Sequence, residues 1–204
     1  MALTRRDALK QLAIGSVGAA TMPMWVESLS AFAAEHAQTR PPGQPTAAKT
    51  AWKPKVFTAD QNATVIVVSE LIIPQTETPG AKAARVNEFI DGVLAESKAA
   101  DNRTKFLAGL TWLDDRARRD HQHPFVACTP DQQTALLTTI STPEALTGPD
   151  AAGAAFFAAI KSLTIIGYYT SEVGLRQELG DDGNLVFSEF KGCTHPEHQT
   201  QTQA

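Results

Sequence analysis

Apolar residues in this chain recur at helical spacing over most of its length. Val86, Phe89, Ile90, Val93 and Leu94 fall at i, i+3, i+4, i+7 and i+8, the pattern of an amphipathic helix. Phe106, Leu110, Leu113 and Ala117 repeat at i, i+4, i+7 and i+11 and predict a second. Phe156, Ile160 and Leu163 mark a long apolar helix from about Ala151 to Tyr169. Thr58-Ala59-Asp60-Gln61 and Thr129-Pro130-Asp131-Gln132 are capping boxes, the latter with Pro at the first helical position. The run Val65 to Ile73 is β-branched and on propensity alone suits a buried strand. The cap before it and Pro74 after it favour a helix instead. A short helical turn is expected from Ser171 to Leu179, broken by Gly180-Asp181-Asp182-Gly183. Only Leu185 to Phe190 reads as extended. The expected fold is all-α, a compact bundle of about five to six helices.

The two ends follow other rules. Arg5, Arg6 and Lys10 precede a weakly apolar, Ala- and Gly-rich run from Leu12 to Val26, and Ala31-Phe32-Ala33 supplies a small-x-small site. Basic start, short apolar middle and small-residue end are the parts of a cleavable export signal, so residues 1–33 read as an address outside the fold. The adjacent arginines resemble a twin-arginine signal, with Ala8 where that motif usually carries Phe; an ordinary secretory signal with two arginines is the alternative. Residues 34–55 hold Pro41, Pro42, Pro45 and Pro54 without apolar period and read as a flexible linker. Residues 56–195 form the helical body, and 196–204 a polar tail.

Composition narrows the classes. The chain has 204 residues, 43% hydrophobic and 20% charged, which excludes a wholly disordered chain and a multispan membrane protein. A net charge of −4 provides no basic stripe for nucleic acid. No dinucleotide or phosphate loop, no G-x-S-x-G and no C-x-x-C-H occurs. Asp181-Asp182-Gly183-Asn184 lacks the alternating ligands of a calcium loop.

Four features remain as candidate chemistry. Cys128 and Cys193 are the two cysteines, and in an oxidising compartment they would pair. His121 and His123 before Cys128, with His195 and His198 after Cys193, could alternatively wrap a zinc ion, though at spacings unlike established zinc motifs. Free thiols are the third possibility. Asp114 and Asp115 sit among Arg116, Arg118 and Arg119 and read as a solvated face, whereas Glu70 and Asp91 read as core-edge groups. Finally, Gly167-Tyr168-Tyr169-Thr170-Ser171-Glu172-Val173-Gly174 gathers two Tyr, two hydroxyls and two Gly after the most apolar helix. It suits either an internal helix corner or a partner contact.

Two segments carry a resemblance. Leu71-Ile72-Ile73-Pro74-Gln75-Thr76-Glu77-Thr78-Pro79-Gly80-Ala81 resembles the LIPxTxTPGA segment of the gluconate 2-dehydrogenase subunit 3 family. Phe156-Phe157 with Gly167-Tyr168-Tyr169-Thr170-Ser171-Glu172 is similar to that family's FF and GYYTSE segments, and Gly109-Leu110 with Leu113-Asp114 fits its GL..LD pattern. The departures are Ile73 in the Leu-Ile-Pro join and the missing leader Phe. The likeness spans about residues 56–193.

The resemblance implies a non-catalytic small subunit, with no cofactor of its own, of a membrane-associated, FAD-dependent sugar or alcohol dehydrogenase. The implied partners are a large flavoprotein of the glucose-methanol-choline type, often a multihaem cytochrome c as third subunit, and the twin-arginine translocation machinery. The implied location is the periplasm. On this reading Thr78, Pro79, Gly80, Tyr168, Tyr169, Thr170 and Ser171 are expected to form the partner contact. The competing reading is a stand-alone periplasmic enzyme or metal-binding protein using the His and Cys arms.

Overall fold

A computed structural model describes residues 22–39 and 52–180. Among these residues every regular element is helical. The helices are α1 (Met24–Thr39), α2 (Ala59–Ile72), α3 (Val86–Glu96), α4 (Ala100–His121), α5 (Pro130–Ile140) and α6 (Ala151–Tyr169). Short 3-10 turns cover Phe125–Ala127 and Pro143–Leu146, and a π-helical turn covers Val173–Glu178.

The local signals act as expected. Thr58 accepts from the Gln61 amide at 3.2 Å and the Gln61 side chain accepts from the Thr58 amide at 3.0 Å, closing the first capping box. Thr129 and Gln132 close the second in the same way. The β-branched run is helix α2, which ends at Ile72 ahead of Pro74. The expected sixth turn is present but π-helical, the rarer wide form. Gly174 permits it, because a Cβ there would overlap the Tyr168 carbonyl.

α6 is the axis of the bundle. It touches all five other helices. Gly153, Ala154, Ala155, Phe156, Ala159, Ile160, Leu163, Thr164, Gly167 and Tyr168 are buried along it, so little of its surface is left to water. By length and apolarity alone α6 could cross a membrane, with mean hydropathy 1.5 over an 18-residue window, yet 56% of that window is buried inside the domain. A helix apolar on nearly all sides is stable in water only when its neighbours cover it. Small residues allow the close approach. A Cβ on Gly109 of α4 would overlap the Phe156 ring, one on Gly153 would overlap Trp112, and one on Gly167 would meet Phe89. Phe57, Phe106 and Phe156 form an aromatic row at centroid spacings of 6.2 and 5.1 Å.

The largest departure from expectation is α1. Residues up to 33 were expected to lie outside the fold, and 34–39 to begin a flexible linker. Instead Met24–Thr39 is one helix, and Val26, Leu29 and Ala33 are 2%, 0% and 0% exposed in the core. The physical reason lies in the spacing: these three fall at i, i+3 and i+7, so a weakly apolar run that suits an export signal also makes an amphipathic face. Ala31-Phe32-Ala33 is thus mid-helix. Arg5, Arg6, the prolines at 41, 42 and 45, the extended stretch expected at 185–190, and the tail lie outside the described residues.

Gly109→Ala is expected to destabilise the domain by about 1–3 kcal/mol through overpacking against Phe156. Gly148→Ala, whose Cβ would meet nothing nearer than the Glu144 carbonyl at 3.6 Å, should change stability by less than about 0.5 kcal/mol. Urea unfolding followed by far-UV circular dichroism compares the two. Equal effects would overturn this account of the α4–α6 contact.

Candidate functional site

Two buried or half-buried carboxylates organise the loops around the bundle. Asp91, 1% exposed on α3, accepts from the amides of Lys55 (2.7 Å), Val56 (3.0 Å) and Phe57 (3.0 Å). It fixes the chain just before α2. Glu70 on α2 accepts from the amides of Gln75 (2.8 Å) and Lys82 (2.8 Å), which pins both ends of the loop 74–82. Gly80 lies against this carboxylate, and a Cβ there would overlap Glu70 Oε1 and the Gln75 amide. An ionised carboxylate surrounded by backbone N–H groups is a strong, oriented acceptor. Both groups are engaged in holding backbone, a role the sequence pattern assigned only as far as the edge of the core.

The pinned loop is joined to the end of α6. Tyr168, 0% exposed, donates its hydroxyl to the Pro79 carbonyl at 2.8 Å, and its ring meets Tyr169 edge-on at 5.2 Å. Thr78 donates to the Glu178 carboxylate on the π-helical turn. Ser171 donates to the Tyr168 carbonyl at 2.6 Å and accepts from the Gly174 amide at 3.0 Å. The two segments that carry the family resemblance therefore form one corner, bonded to each other.

A family model described as gluconate 2-dehydrogenase subunit 3 matches residues 59–184, more than half of the chain. The chain belongs to that family. No curated protein and no solved structure matches it significantly. The family description makes the protein one subunit of a gluconate 2-dehydrogenase assembly.

The residues expected at the partner contact differ in exposure. Tyr168 and Gly80 face inward, Thr78, Pro79, Tyr169 and Ser171 are half-buried, and Thr170 is exposed. The internal-corner reading of Tyr168 is the one the geometry supports, because its hydroxyl and ring are both occupied within the chain. What this subunit 3 protein presents outward at the corner is Gln75, Thr76 and Glu77 of the loop, with Thr170, Glu172, Arg176, Gln177 and Leu179 beyond α6. Leu179 is 60% exposed, a large apolar side chain held in water.

Among the described residues the other candidates do not converge on a reactive centre. Among the described residues Cys128 has no disulfide partner, and Cys193, with which it was expected to pair, lies outside them. Its thiol is tucked under the turn at Phe125, 3.6 Å from the Pro124 carbonyl and 7% exposed, and burial, helped by the Asp114 charge, raises its pKa. Cys193, His195 and His198 lie outside the described residues. Among the described residues no three His, Cys, Asp or Glu side chains are grouped to hold a metal, so His121 and His123 do not assemble a site with Cys128 there. Asp114 is more than a solvated charge, since it accepts from the Phe125 amide at 3.0 Å and so fixes that turn on α4. Arg116 donates to Asp120 at 2.6 Å and to Asp150 at 2.8 Å, and the hydrogen bond it gives Asp120 is the main cause of its raised pKa. A cleft of about 160 Å3 lined by Asp60, Thr64, Asp114, Asp115 and Arg118 is well below the usual size of a small-molecule pocket.

Tyr168→Phe should cost the free subunit about 1 kcal/mol by leaving the Pro79 carbonyl without its donor. Tyr168→Ala should cost roughly 3–5 kcal/mol. Unchanged stability of the isolated Phe variant in chemical denaturation would contradict the internal role. Cys128, in the reduced folded protein at pH 8, should react with iodoacetamide at least about tenfold more slowly than after denaturation, as expected for a thiol both shielded and raised in pKa. Peptide mapping by mass spectrometry measures this, and equal rates would show an accessible thiolate.

Proposed function

We propose that this protein is the non-catalytic small subunit of a periplasmic, membrane-associated dehydrogenase. Its partner is an FAD-binding large subunit of the glucose-methanol-choline type that oxidises a sugar or alcohol. A multihaem cytochrome c as third subunit takes the electrons onward. This subunit lends its twin-arginine signal to the flavoprotein and escorts it through export. The FAD belongs to the partner and the haem to the cytochrome.

The observation that carries the reading is the corner itself. The two resembling segments use their buried side chains on each other, through Tyr168 on Pro79 and Thr78 on Glu178, and so hold a shaped outer edge in place. A rigid edge costs little conformational entropy on association, which is what a recognition surface needs. Leu179 adds an exposed apolar contact at its rim. Supporting this is the role of the ionisable groups: Asp91, Glu70 and Asp114 each hold backbone amides, an architectural use of carboxylates.

The escort role follows from a constraint on the partner. FAD is made in the cytoplasm, so a flavoprotein must bind it before export. The twin-arginine route passes folded proteins, and one signal can serve a folded pair.

The test changes Arg5 and Arg6 together to Lys, which leaves α1 untouched. Co-expressed with the large subunit, the double variant should leave that subunit in the cytoplasm with FAD bound, and cell fractionation with flavin fluorescence reads the outcome. Normal export of the flavoprotein would overturn the escort role.

A further inference from the structure

We infer that α1 is a permanent part of the working subunit, so the export signal is not removed at the small-x-small site Ala31-Phe32-Ala33. The inference rests on the export reading only for why a leader peptidase would meet this segment. Its core is geometric. Leu29 and Ala33 are fully buried and Val26 nearly so, packed with α4 and α6. Polar contacts fix the helix along its length. Asn102 on α4 donates to Ser28 at 3.4 Å. His36 Nδ1 lies 3.2 Å from a Glu96 carboxylate oxygen on α3. The His36 ring stacks on Phe32 at 6.3 Å and meets Phe89 at a tilt, 5.9 Å away.

A leader peptidase takes its substrate as an extended strand, reading small side chains at the first and third positions before the cut. Ala31 is exposed and Ala33 is buried, both within one continuous helix. Cutting after Ala33 would require α1 to unwind and its apolar face to leave the core. Proteolysis of a folded chain follows the population of such opened states. It would also divide α1, separating Val26 and Leu29 from the domain and uncovering the side of α6 they help to cover. The Ala-rich run thus serves twice, as the end of a signal and as a wall of the bundle. A chain whose core has not formed would leave α1 undocked and the site open. Docking therefore makes processing report on folding.

The experiment uses the full chain, purified and incubated with bacterial leader peptidase in detergent micelles, with intact mass as the readout. The folded wild type should yield no product beginning at Ala34. Ala31→Gln, at an exposed position, should leave the mass pattern unchanged. Leu29→Ala should lower the Tm by about 10 °C and raise cleavage after Ala33 severalfold. Stoichiometric release of a chain starting at Ala34 from folded wild type would overturn the inference, as would an unaltered Tm in Leu29→Ala. If Leu29→Ala does not fold, the wild-type mass alone decides. Fractionation of cells separates this from the export reading: a chain confined to the cytoplasm defeats that reading, while an Ala34 terminus defeats this one.

Discussion

The structure depends on covering one helix. α6 carries apolar or small residues on nearly every side, and only burial makes such a helix compatible with water. Among the described residues, each of the other five helices contributes a wall to it. That requirement explains the glycines at the closest approaches. Gly109 receives the Phe156 ring, Gly153 receives Trp112 and Gly167 receives Phe89. It also explains why α1 belongs to the bundle, since Val26, Leu29 and Ala33 complete the cover.

Around this axis the loops are placed by carboxylates. Asp91 gathers three successive amides, Glu70 gathers the two ends of one loop and Asp114 takes one amide at the turn after α4. Charge-assisted bonds of this kind orient backbone strongly because an unpaired buried carboxylate is costly. The loop held by Glu70 is then joined to the end of α6 by Tyr168. The corner is tied together because its bonds run inward, which is what the proposed contact surface requires. The residues that carry the family resemblance are therefore mostly the supports of the proposed contact surface, and their exposed neighbours form its outer edge.

Much of the fold was legible beforehand. Thr58 and Thr129 marked two helix starts through local capping chemistry, which involves only residues three apart. The apolar periods located α3, α4 and α6, because a helix face repeats at fixed spacing whatever it packs against. Pro74 and the cap at Thr58 decided correctly between strand and helix for a β-branched run. The all-α class and the family followed from residues close in the chain.

What the sequence by itself determined was thus local: caps, periods, stops, and the segments Leu71–Ala81 and Gly167–Glu172 that mark the family. Tertiary structure decided which polar groups face inward. Tyr168 reads equally well as a corner or as a contact until Pro79, distant in the chain, supplies its acceptor. Asp91 and Glu70 show their purpose only when the amides they hold are brought to them. Above all, an Ala-rich run near a chain start has the composition of both a leader and a core helix. Only the side of α6 that it covers, made by residues more than a hundred positions away, shows that the run packs into the core, because hydrophobic burial is a property of the assembled surface and not of the segment.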